Sequence, residues 1–501
     1  MNISGTDLLK KALKLVRHHV LLVVILLFVL VLGTYRLPES PLTGYDEGIL
    51  NQMASNFVRH GALDLRTTPE SFTSGAYMTT AYPVLFPVAV GMAIGGITLE
   101  SARLVMVLFM LGFVTAAYIV VYRSFGGRRD AALATALIAT HASLYAYGKG
   151  LMGEIPGLFY LMLFLIGLER LSRKPERPLA LVILTSLALG LTAVTKPVFL
   201  VILPAAAITA LIHWKKLPIN PKTITASILT LLATAAVWVG TQFSARDDFA
   251  SVLHFYRNPY LLSDIWSVIT GNIVRFFTEG TPLYVAGLLA VWLVFLAWRG
   301  MDRSSEQRIP SPVETCALLF VILVLLAYLR TPGFYRYFFL ANMVVLLAFP
   351  LALEKIIGRI LHHFPKWKAG PTSRDLGTLA CLLLVGFQTW QLFTRSYIIT
   401  TYSSTQTAQL EQYFGTRFDG SHPYIYDAPE LAIFLPTQNY SQWIEVSGGG
   451  LFAVGLPLDA AIRSGVDTIL LNEKRFHDEE SKFAGFHVAD QITRYIILER
   501  N

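Results

Sequence analysis

Two adjacent carboxylates stand just after the first apolar segment of this 501-residue chain, in Tyr45-Asp46-Glu47-Gly48. They open an amphipathic stretch that Gly61 ends, which predicts a helix lying flat on a membrane surface. At the start of this helix the dipole favours the ionised form of Asp46. Such a carboxylate can serve as a general base, with Glu47 positioning it or the acceptor, or it can be no more than a helix cap.

A second carboxylate, Glu154, lies at the predicted mouth of a later apolar segment, in Gly153-Glu154-Ile155-Pro156. A carboxylate next to lipid is costly unless it is paired or functional, although at the start of a helix it can also be a cap. If Asp46 and Glu154 meet, they could share a substrate hydroxyl or a divalent cation such as Mg, Mn or Ca.

Several cations are expected on the same side of the membrane as these carboxylates. Lys196 lies in Thr195-Lys196-Pro197 between two apolar segments, and a later turn carries both Arg330 and Arg336. Cations are uncommon on the outer side, so they indicate an anionic partner, most simply a phosphate; the alternative is contact with lipid headgroups. The candidate substrate-binding residues are therefore Tyr45, Glu154, Lys196, Arg330, Tyr335, Arg336 and Tyr337.

The elements that position these residues are apolar segments long enough to span a membrane. The chain is 54% hydrophobic, 15% charged and has a mean hydropathy of +0.53, whereas soluble chains average about 25% charged residues. The net charge of +8 does not indicate nucleic acid, because the basic residues form short clusters between apolar blocks. The predicted spans are 19–36, 101–122, 131–147, 155–172, 179–195, 197–213, 222–241, 280–298, 312–329, 334–352 and 375–394.

The basic clusters predict the topology, because positive charge marks cytoplasmic loops. They alternate correctly if the apolar segment 83–98 does not span, which gives eleven spans, a cytoplasmic N-terminus and an outer C-terminus. The sequence thus predicts a transmembrane domain over 1–394, with a first outer loop over 37–100. A periplasmic α/β domain is expected over 395–501, since short strand-like runs alternate there with helical ones. The basic clusters that predict this topology are Arg123/Arg128/Arg129, Arg170/Arg173/Lys174/Arg177, Lys215/Lys216/Lys222, Arg299/Arg303/Arg308 and Lys355/Arg359/Lys366/Lys368.

Together these features resemble the GT-C class of membrane glycosyltransferases, in particular the branch of protein O-mannosyltransferases and the aminoarabinose transferase of lipid A. One departure is the absence of a lysine in the stretch 78–83, where related enzymes often carry one before a proline run. The matching segments are Asp46-Glu47, Ser101–Leu104, Phe125–Arg129, Gly153-Glu154, Leu191–Pro197 and Arg336-Tyr337.

The resemblance implies a polyprenyl-phosphate sugar donor, an active site at the outer face of a bacterial inner membrane and inversion at the anomeric carbon. The acceptor could be a lipid, a glycan or a protein. Asp46 is then the expected base, while Lys196, Arg336 and Arg330 would stabilise the leaving phosphate. The alternatives are a lipid-linked sugar flippase or transporter, a glycan polymerase or ligase with a polyprenyl-diphosphate donor, and a catalytically silent binding protein.

Overall fold

The computed structural model describes residues 19–173, 176–244, 247, 249–258, 262–301, 310–363, 371–396, 404–418, 421–447 and 452–501. Within these ranges seven helices are long and apolar enough to cross a membrane, and four apolar helices are shorter. The seven long helices are Leu99–Phe125, Glu154–Ser172, Pro178–Thr195, Pro221–Gln242, Gly280–Met301, Phe339–His362 and Ser373–Thr394. The four shorter ones are Val20–Thr34, Tyr82–Gly95, Pro197–Ile212 and Pro312–Tyr328.

The predicted span 131–147 is divided in the structure. Its first part is helix Arg128–Ala139 and its second part is helix Ala142–Gly148, with the break at Thr140 and His141. Polar side chains fill the break, since Thr140 donates a hydrogen bond to Gln388 and Asn342 lies 2.9 Å from the His141 ring. With this broken helix, each of the eleven predicted spans corresponds to helix in the described chain.

The segment 83–98, which was predicted not to span, forms helix Tyr82–Gly95 with Pro87 inside it. Fourteen residues of helix reach about 21 Å, less than the roughly 30 Å hydrocarbon core of a bilayer. Two smaller helices, Phe249–Arg257 and Ile265–Thr278, lie between helices Pro221–Gln242 and Gly280–Met301.

Helix Tyr45–His60, hereafter the Asp46 helix, is an interface helix rather than a helix lying on an open membrane surface. Residues 47–56 are all buried, because one side packs on helix Tyr82–Gly95 and another packs on the C-terminal domain. The polar residue Gln52 on this helix makes a buried hydrogen bond to the Pro429 carbonyl at 2.9 Å. The amphipathic pattern predicted the helix but could not show that a protein surface covers it.

A hairpin that the sequence did not suggest follows the Asp46 helix. Strand β1 (Asp64–Thr68) pairs antiparallel with strand β2 (Ser71–Ser74), and β1 lies against the C-terminal sheet. The first predicted outer loop therefore forms ordered structure that joins the helical bundle to the C-terminal domain.

Six strands of the C-terminal domain are β3 (Tyr424–Tyr426), β4 (Ser441–Ser447), β5 (Phe452–Gly455), β6 (Thr468–Asn472), β7 (Phe486–Ile492) and β8 (Tyr495–Arg500). They form one mixed sheet with the order β5-β4-β3-β6-β8-β7. The central strand β3 pairs parallel with both of its neighbours, and its residues Tyr424–Tyr426 are fully buried, as expected for a strand covered on both faces. This confirms the predicted α/β character. The helices of this domain are Gln406–Arg417, Leu458–Arg463 and Glu473–Asp478.

Some predicted features lie outside the described residues. These are the basic cluster residues Lys174, Arg303, Arg308, Lys366 and Lys368, and the residues around the predicted domain boundary from 397 to 403. The boundary at residue 394 therefore stays a prediction, although helix Ser373–Thr394 ends there.

Candidate active site

A cavity of about 680 Å³, hereafter the main cavity, lies where the Asp46 helix meets the ends of several membrane helices. Six of the predicted site residues line it: Tyr45, Asp46, Glu154, Lys196, Arg336 and Tyr337. Much of the remaining lining is apolar, from Ile49, Met78, Pro197, Val198, Phe255, Ala327, Phe334 and Val446. The main cavity therefore combines a cluster of charged side chains with an apolar wall.

Asp46 forms an ion pair with Arg336, which lies 290 residues later in the sequence. Arg336 Nη1 donates to Asp46 Oδ2 at 2.9 Å, and Arg336 Nη2 donates to the Tyr337 hydroxyl at 3.1 Å. The N-cap of the Asp46 helix is Gly44. Asp46 is therefore not the helix cap, which was the alternative to a role as general base. Its side chain is 43% exposed, which leaves the carboxylate accessible from the cavity.

Glu154 is held by Lys196 in the same way. Lys196 Nζ donates to Glu154 Oε1 at 2.6 Å, and both side chains are buried. Lys196 reaches this position because helix Pro178–Thr195 ends directly before it and Pro197 starts a new turn. Gly153 leaves room for the lysine, since a Cβ at position 153 would come within 3.3 Å of Lys196 Cδ.

Two buried polar atoms of these pairs have no hydrogen-bond partner among the described residues. They are Glu154 Oε2, an acceptor, and Arg336 Nε, a donor. Arg336 also lies within electrostatic range of both Asp46 and Glu154. Because buried polar groups are normally satisfied, this acceptor and this donor are available to a polar group that enters the cavity.

Glu47 is turned away from the main cavity. Its two carboxylate oxygens accept hydrogen bonds from Arg103 Nε and Nη2, each at 2.9 Å, and Glu47 is 2% exposed while Arg103 is 0% exposed. Glu47 also accepts from the Leu151 amide at 3.2 Å, in the turn before Glu154. Of the two roles expected for Glu47, this geometry fits the positioning of Asp46 and not contact with an acceptor.

Arg330 and Tyr335 are outside the lining of the main cavity. Arg330 is exposed at the end of helix Pro312–Tyr328. The Tyr335 hydroxyl accepts from Asn342 Nδ2 at 2.8 Å, and its ring stacks on His141 at the break of the divided helix. The direct substrate contact expected for these two residues is therefore not supported by their positions.

Tyr45 joins the main cavity to the C-terminal domain. Its hydroxyl lies 2.7 Å from both Asp427 Oδ1 and the Glu445 carbonyl oxygen. Burial and the neighbouring Asp427 raise the pKa of Tyr45 above its usual value, so the hydroxyl stays protonated and donates. Tyr45 thus anchors the start of the Asp46 helix to the sheet.

Helix Phe249–Arg257 contributes residues that the sequence did not single out. The Tyr256 hydroxyl lies 3.0 Å from the Met78 carbonyl oxygen, and the Phe255 ring packs edge-on against Tyr77. These aromatic residues all line the main cavity. Only the aromatic composition of the loop could have suggested them, because their approach to Met78 depends on the fold.

In the structure Asp46 and Glu154 form separate ion pairs, and the divalent cation that they were expected to share stays a prediction. Each carboxylate already has its own cation, and the charges of the four side chains cancel. The described residues also contain no group of three or more His, Cys, Asp or Glu side chains with metal-binding geometry.

No protein-family model matches the sequence, and no curated protein shows significant sequence similarity. Solved structures do resemble the fold. ArnT from Cupriavidus metallidurans bound to undecaprenyl phosphate has a TM-score of 0.63 at 12% identity, covering 96% of this chain and 98% of that chain. The oligosaccharyltransferase AglB from Archaeoglobus fulgidus, in complex with an inhibitory peptide and a dolichol-phosphate, has a TM-score of 0.51 at 13% identity and covers 92% and 70%.

The arabinofuranosyltransferase AftD from Mycobacteria has a TM-score of 0.54 at 13% identity, covering 96% of this chain and 40% of that chain. All three are GT-C glycosyltransferases. The chain therefore has the GT-C fold: a multi-pass helical membrane protein with a C-terminal β-sheet domain.

Proposed function

We propose that the protein transfers a sugar from a polyprenyl-phosphate donor to an acceptor hydroxyl at the outer face of a bacterial inner membrane. The observation that carries this proposal is the pair of unsatisfied buried atoms, Arg336 Nε and Glu154 Oε2, in one cavity with Asp46. A sugar phosphate supplies what each atom lacks. Its phosphate oxygen accepts from Arg336, and a sugar hydroxyl donates to Glu154.

The reaction is a single displacement. The acceptor oxygen attacks the anomeric carbon, the bond from that carbon to the phosphate oxygen breaks, and the polyprenyl phosphate leaves with the electron pair. Asp46 takes the acceptor proton as the new bond forms. Arg336 and Lys196 stabilise the negative charge that develops on the leaving phosphate. One displacement inverts the configuration at the anomeric carbon.

The ligands of two similar structures support a lipid-phosphate donor, because ArnT is bound to undecaprenyl phosphate and AglB is in complex with a dolichol-phosphate. The apolar part of the cavity wall supports it as well. Val198 and Ala327 lie at the ends of two neighbouring membrane helices, where the first isoprene units of a prenyl chain would leave the cavity for the lipid.

The first test is sugar transfer by the purified full-length protein and its Asp46→Asn variant, with a panel of polyprenyl-phosphate and polyprenyl-diphosphate sugars and envelope acceptors. We expect transfer from a monophosphate donor and a loss of at least 100-fold in the variant, because asparagine cannot take the proton. Glu100→Gln, which changes an exposed carboxylate at a helix start, is the matched control and should keep full activity.

Equal activity of the Asp46→Asn variant would remove Asp46 as the base. Transfer from diphosphate donors alone would favour a glycan polymerase or ligase. Movement of a lipid-linked sugar across liposomes without transfer would favour a flippase.

A further inference from the structure

A second pocket, of about 380 Å³, lies where the start of the Asp46 helix meets the C-terminal domain. Gly44 and Tyr45 form its helix side, while Asp427 and Glu430 lie on its domain side. Tyr45 lines both this pocket, hereafter the domain pocket, and the main cavity. The two spaces therefore adjoin at Tyr45.

Glu430 is the unusual residue of the domain pocket. It is 3% exposed, and its Oε1 accepts hydrogen bonds from the Tyr495 hydroxyl at 2.7 Å and from Arg494 at 3.1 Å. Its Oε2 has no hydrogen-bond partner in the described chain. A buried carboxylate oxygen without a donor is costly, so a group that donates to Glu430 Oε2 would be bound favourably.

The position of Glu430 is fixed by the Asp46 helix. A Cβ added to Gly48 would come within 2.3 Å of the Glu430 Cα and backbone nitrogen, so the glycine allows a direct backbone approach. Asp427 is fixed too, since it accepts from the Glu445 amide at 2.9 Å and contacts the Tyr45 hydroxyl. The pocket is thus already formed before a ligand enters.

The charges around the domain pocket indicate the class of ligand. Three carboxylates and three cations line it, namely Asp427, Glu430, Asp478, Lys474, Arg475 and Arg494. Their formal charges cancel, which favours a neutral ligand over a phosphate or a polyamine. A hydroxyl both donates and accepts, so a ligand with several hydroxyls can donate to Glu430 Oε2 and accept from Lys474. Lys474 is exposed and has no side-chain hydrogen bond in the described chain.

We propose that the domain pocket binds a polyhydroxylated, glycan-type part of the acceptor, next to the main cavity in which the reacting hydroxyl meets Asp46. This inference rests on the proposed function, because it identifies the class of acceptor for the same reaction. The volume of the domain pocket lies at the lower end of the range for small-molecule sites, which suits one or two sugar rings.

Binding without transfer tests the pocket independently of the reaction. The probes are methyl glycosides of glucose, mannose, galactose and glucosamine, with inorganic phosphate as the charged comparison, titrated into the full-length protein in detergent and followed by saturation-transfer NMR. We expect saturable binding of at least one neutral glycoside and a loss of at least tenfold in affinity in Glu430→Gln. Glutamine keeps the oxygen that accepts from Tyr495 and Arg494 and replaces only the free oxygen by a donor.

Glu411→Gln is the matched control, because Glu411 is an exposed carboxylate on helix Gln406–Arg417, outside the pocket lining. It should bind the glycoside as the wild type does. Lys474→Met is a second variant that changes an exposed side chain, so it should fold even if Glu430→Gln does not, and it should weaken binding several-fold. No saturable binding of any glycoside, equal binding in Glu430→Gln or Lys474→Met, or tighter binding of phosphate would overturn the inference.

Once a donor and acceptor pair is known, steady-state kinetics separate the pocket from the chemistry. Glu430→Gln should raise KM for the acceptor at least fivefold and leave KM for the donor unchanged. A fall in kcat with both KM values unchanged would contradict the assignment. If the wild type binds glycosides but transfers no sugar, the proposed reaction fails while the pocket remains.

Discussion

At the scale of single residues, the guanidinium of Arg336 has geometry that a lysine cannot reproduce. Nη1 donates to Asp46, Nη2 donates to Tyr337, and Nε remains able to donate to a ligand. One guanidinium can therefore donate hydrogen bonds in three directions. We expect Arg336→Lys to keep the charge and still lower kcat/KM for the donor at least tenfold, which corresponds to about 1.4 kcal/mol. The measurement is steady-state transfer at varied donor concentration.

Arg330→Lys is the matched control, since Arg330 is exposed and outside the lining of the main cavity. It should leave kcat/KM within twofold of the wild type. Equal losses in the two variants would show that the effect comes from general positive charge near the membrane surface and not from the contacts of Arg336.

A second residue-scale prediction concerns Lys149, which lies in the turn before Glu154. Its Nζ donates to the Tyr35 carbonyl at 2.8 Å, and burial together with Arg103 and Arg36 lowers its pKa to about 7. Below pH 7 the folded protein holds a buried charge, which destabilises it. Above pH 7 the folded state has released a proton that the unfolded state keeps up to about pH 10.4, so stability rises with pH.

Lys149→Met should therefore change the pH dependence of unfolding. The variant is expected to be more stable than the wild type at pH 6, and this advantage should shrink steadily as the pH rises from about 7 towards about 10.4, as followed by thermal unfolding in detergent. The exposed residue Lys355 gives the control Lys355→Met. A difference in Tm between Lys149→Met and wild type that does not change with pH would contradict the shifted pKa.

Residue types and order predicted which charged groups meet, but not which way each side chain points. Asp46, Glu154, Lys196 and Arg336 share one cavity as expected. Asp46 and Glu47 were treated as a pair, yet neighbouring residues on a helix point about 100° apart and only one can face the cavity. The choice depends on Arg103, a fully buried arginine on another helix, which the sequence shows only as part of a matching segment.

At the scale of elements, the buried pair Glu47–Arg103 joins the start of the Asp46 helix to helix Leu99–Val120. Glu47→Gln would leave the Arg103 charge without its partner, which costs about 3–5 kcal/mol in comparable buried pairs. We therefore expect a lower Tm for the single variant. The double variant Glu47→Leu/Arg103→Met removes both charges and should recover much of the loss.

The double variant also tests the role of Glu47. If Glu47 only positions the helix, the folded fraction of the double variant should transfer sugar at a rate within tenfold of the wild type. A well-folded double variant that is as inactive as Asp46→Asn would show that Glu47 takes part in the chemistry. Circular dichroism and size-exclusion chromatography provide the folded fraction.

Hydrophobic periodicity predicted most of the helices because each span is a long apolar block. It failed where a tertiary contact decides the structure. The break at His141 occurs inside an apolar block, and polar groups from distant helices satisfy it. The hairpin β1–β2 has no strong strand pattern and depends on the C-terminal sheet beside it. The sequence pattern does not single out Glu430 for the same reason, because its burial depends on the close approach of Gly48 from the Asp46 helix.

At the scale of the whole molecule, the two ends of the helical bundle differ in charge and in whether the C-terminal domain covers them. One end carries the main cavity and the C-terminal domain. The other carries a basic group that lines a separate surface pocket with His19: Arg128, Arg129, Lys355 and Arg374. Since positive charge is retained in the cytoplasm, this asymmetry favours an outer C-terminal domain.

The distance between the two ends makes this orientation testable. Helix Phe339–His362 starts beside Arg336 and its 24 residues extend about 36 Å, which exceeds the roughly 30 Å hydrocarbon core. Lys355, near its far end, and Glu411, on the C-terminal domain, are both exposed and should therefore face opposite compartments. The native cysteines Cys316 and Cys381 are buried, so single added cysteines can be followed with little background.

We expect Glu411→Cys to react with a membrane-impermeant maleimide in intact cells whose outer membrane admits the reagent, because the proposed topology puts the C-terminal domain outside the inner membrane. Lys355→Cys should react only after the inner membrane is permeabilised. The opposite pattern would place the main cavity in the cytoplasm, where activated nucleotide sugars are present, and a polyprenyl-phosphate donor would no longer be needed. Labelling of Glu411→Cys and Lys355→Cys thus decides the orientation of the main cavity, on which the proposed lipid-linked donor depends.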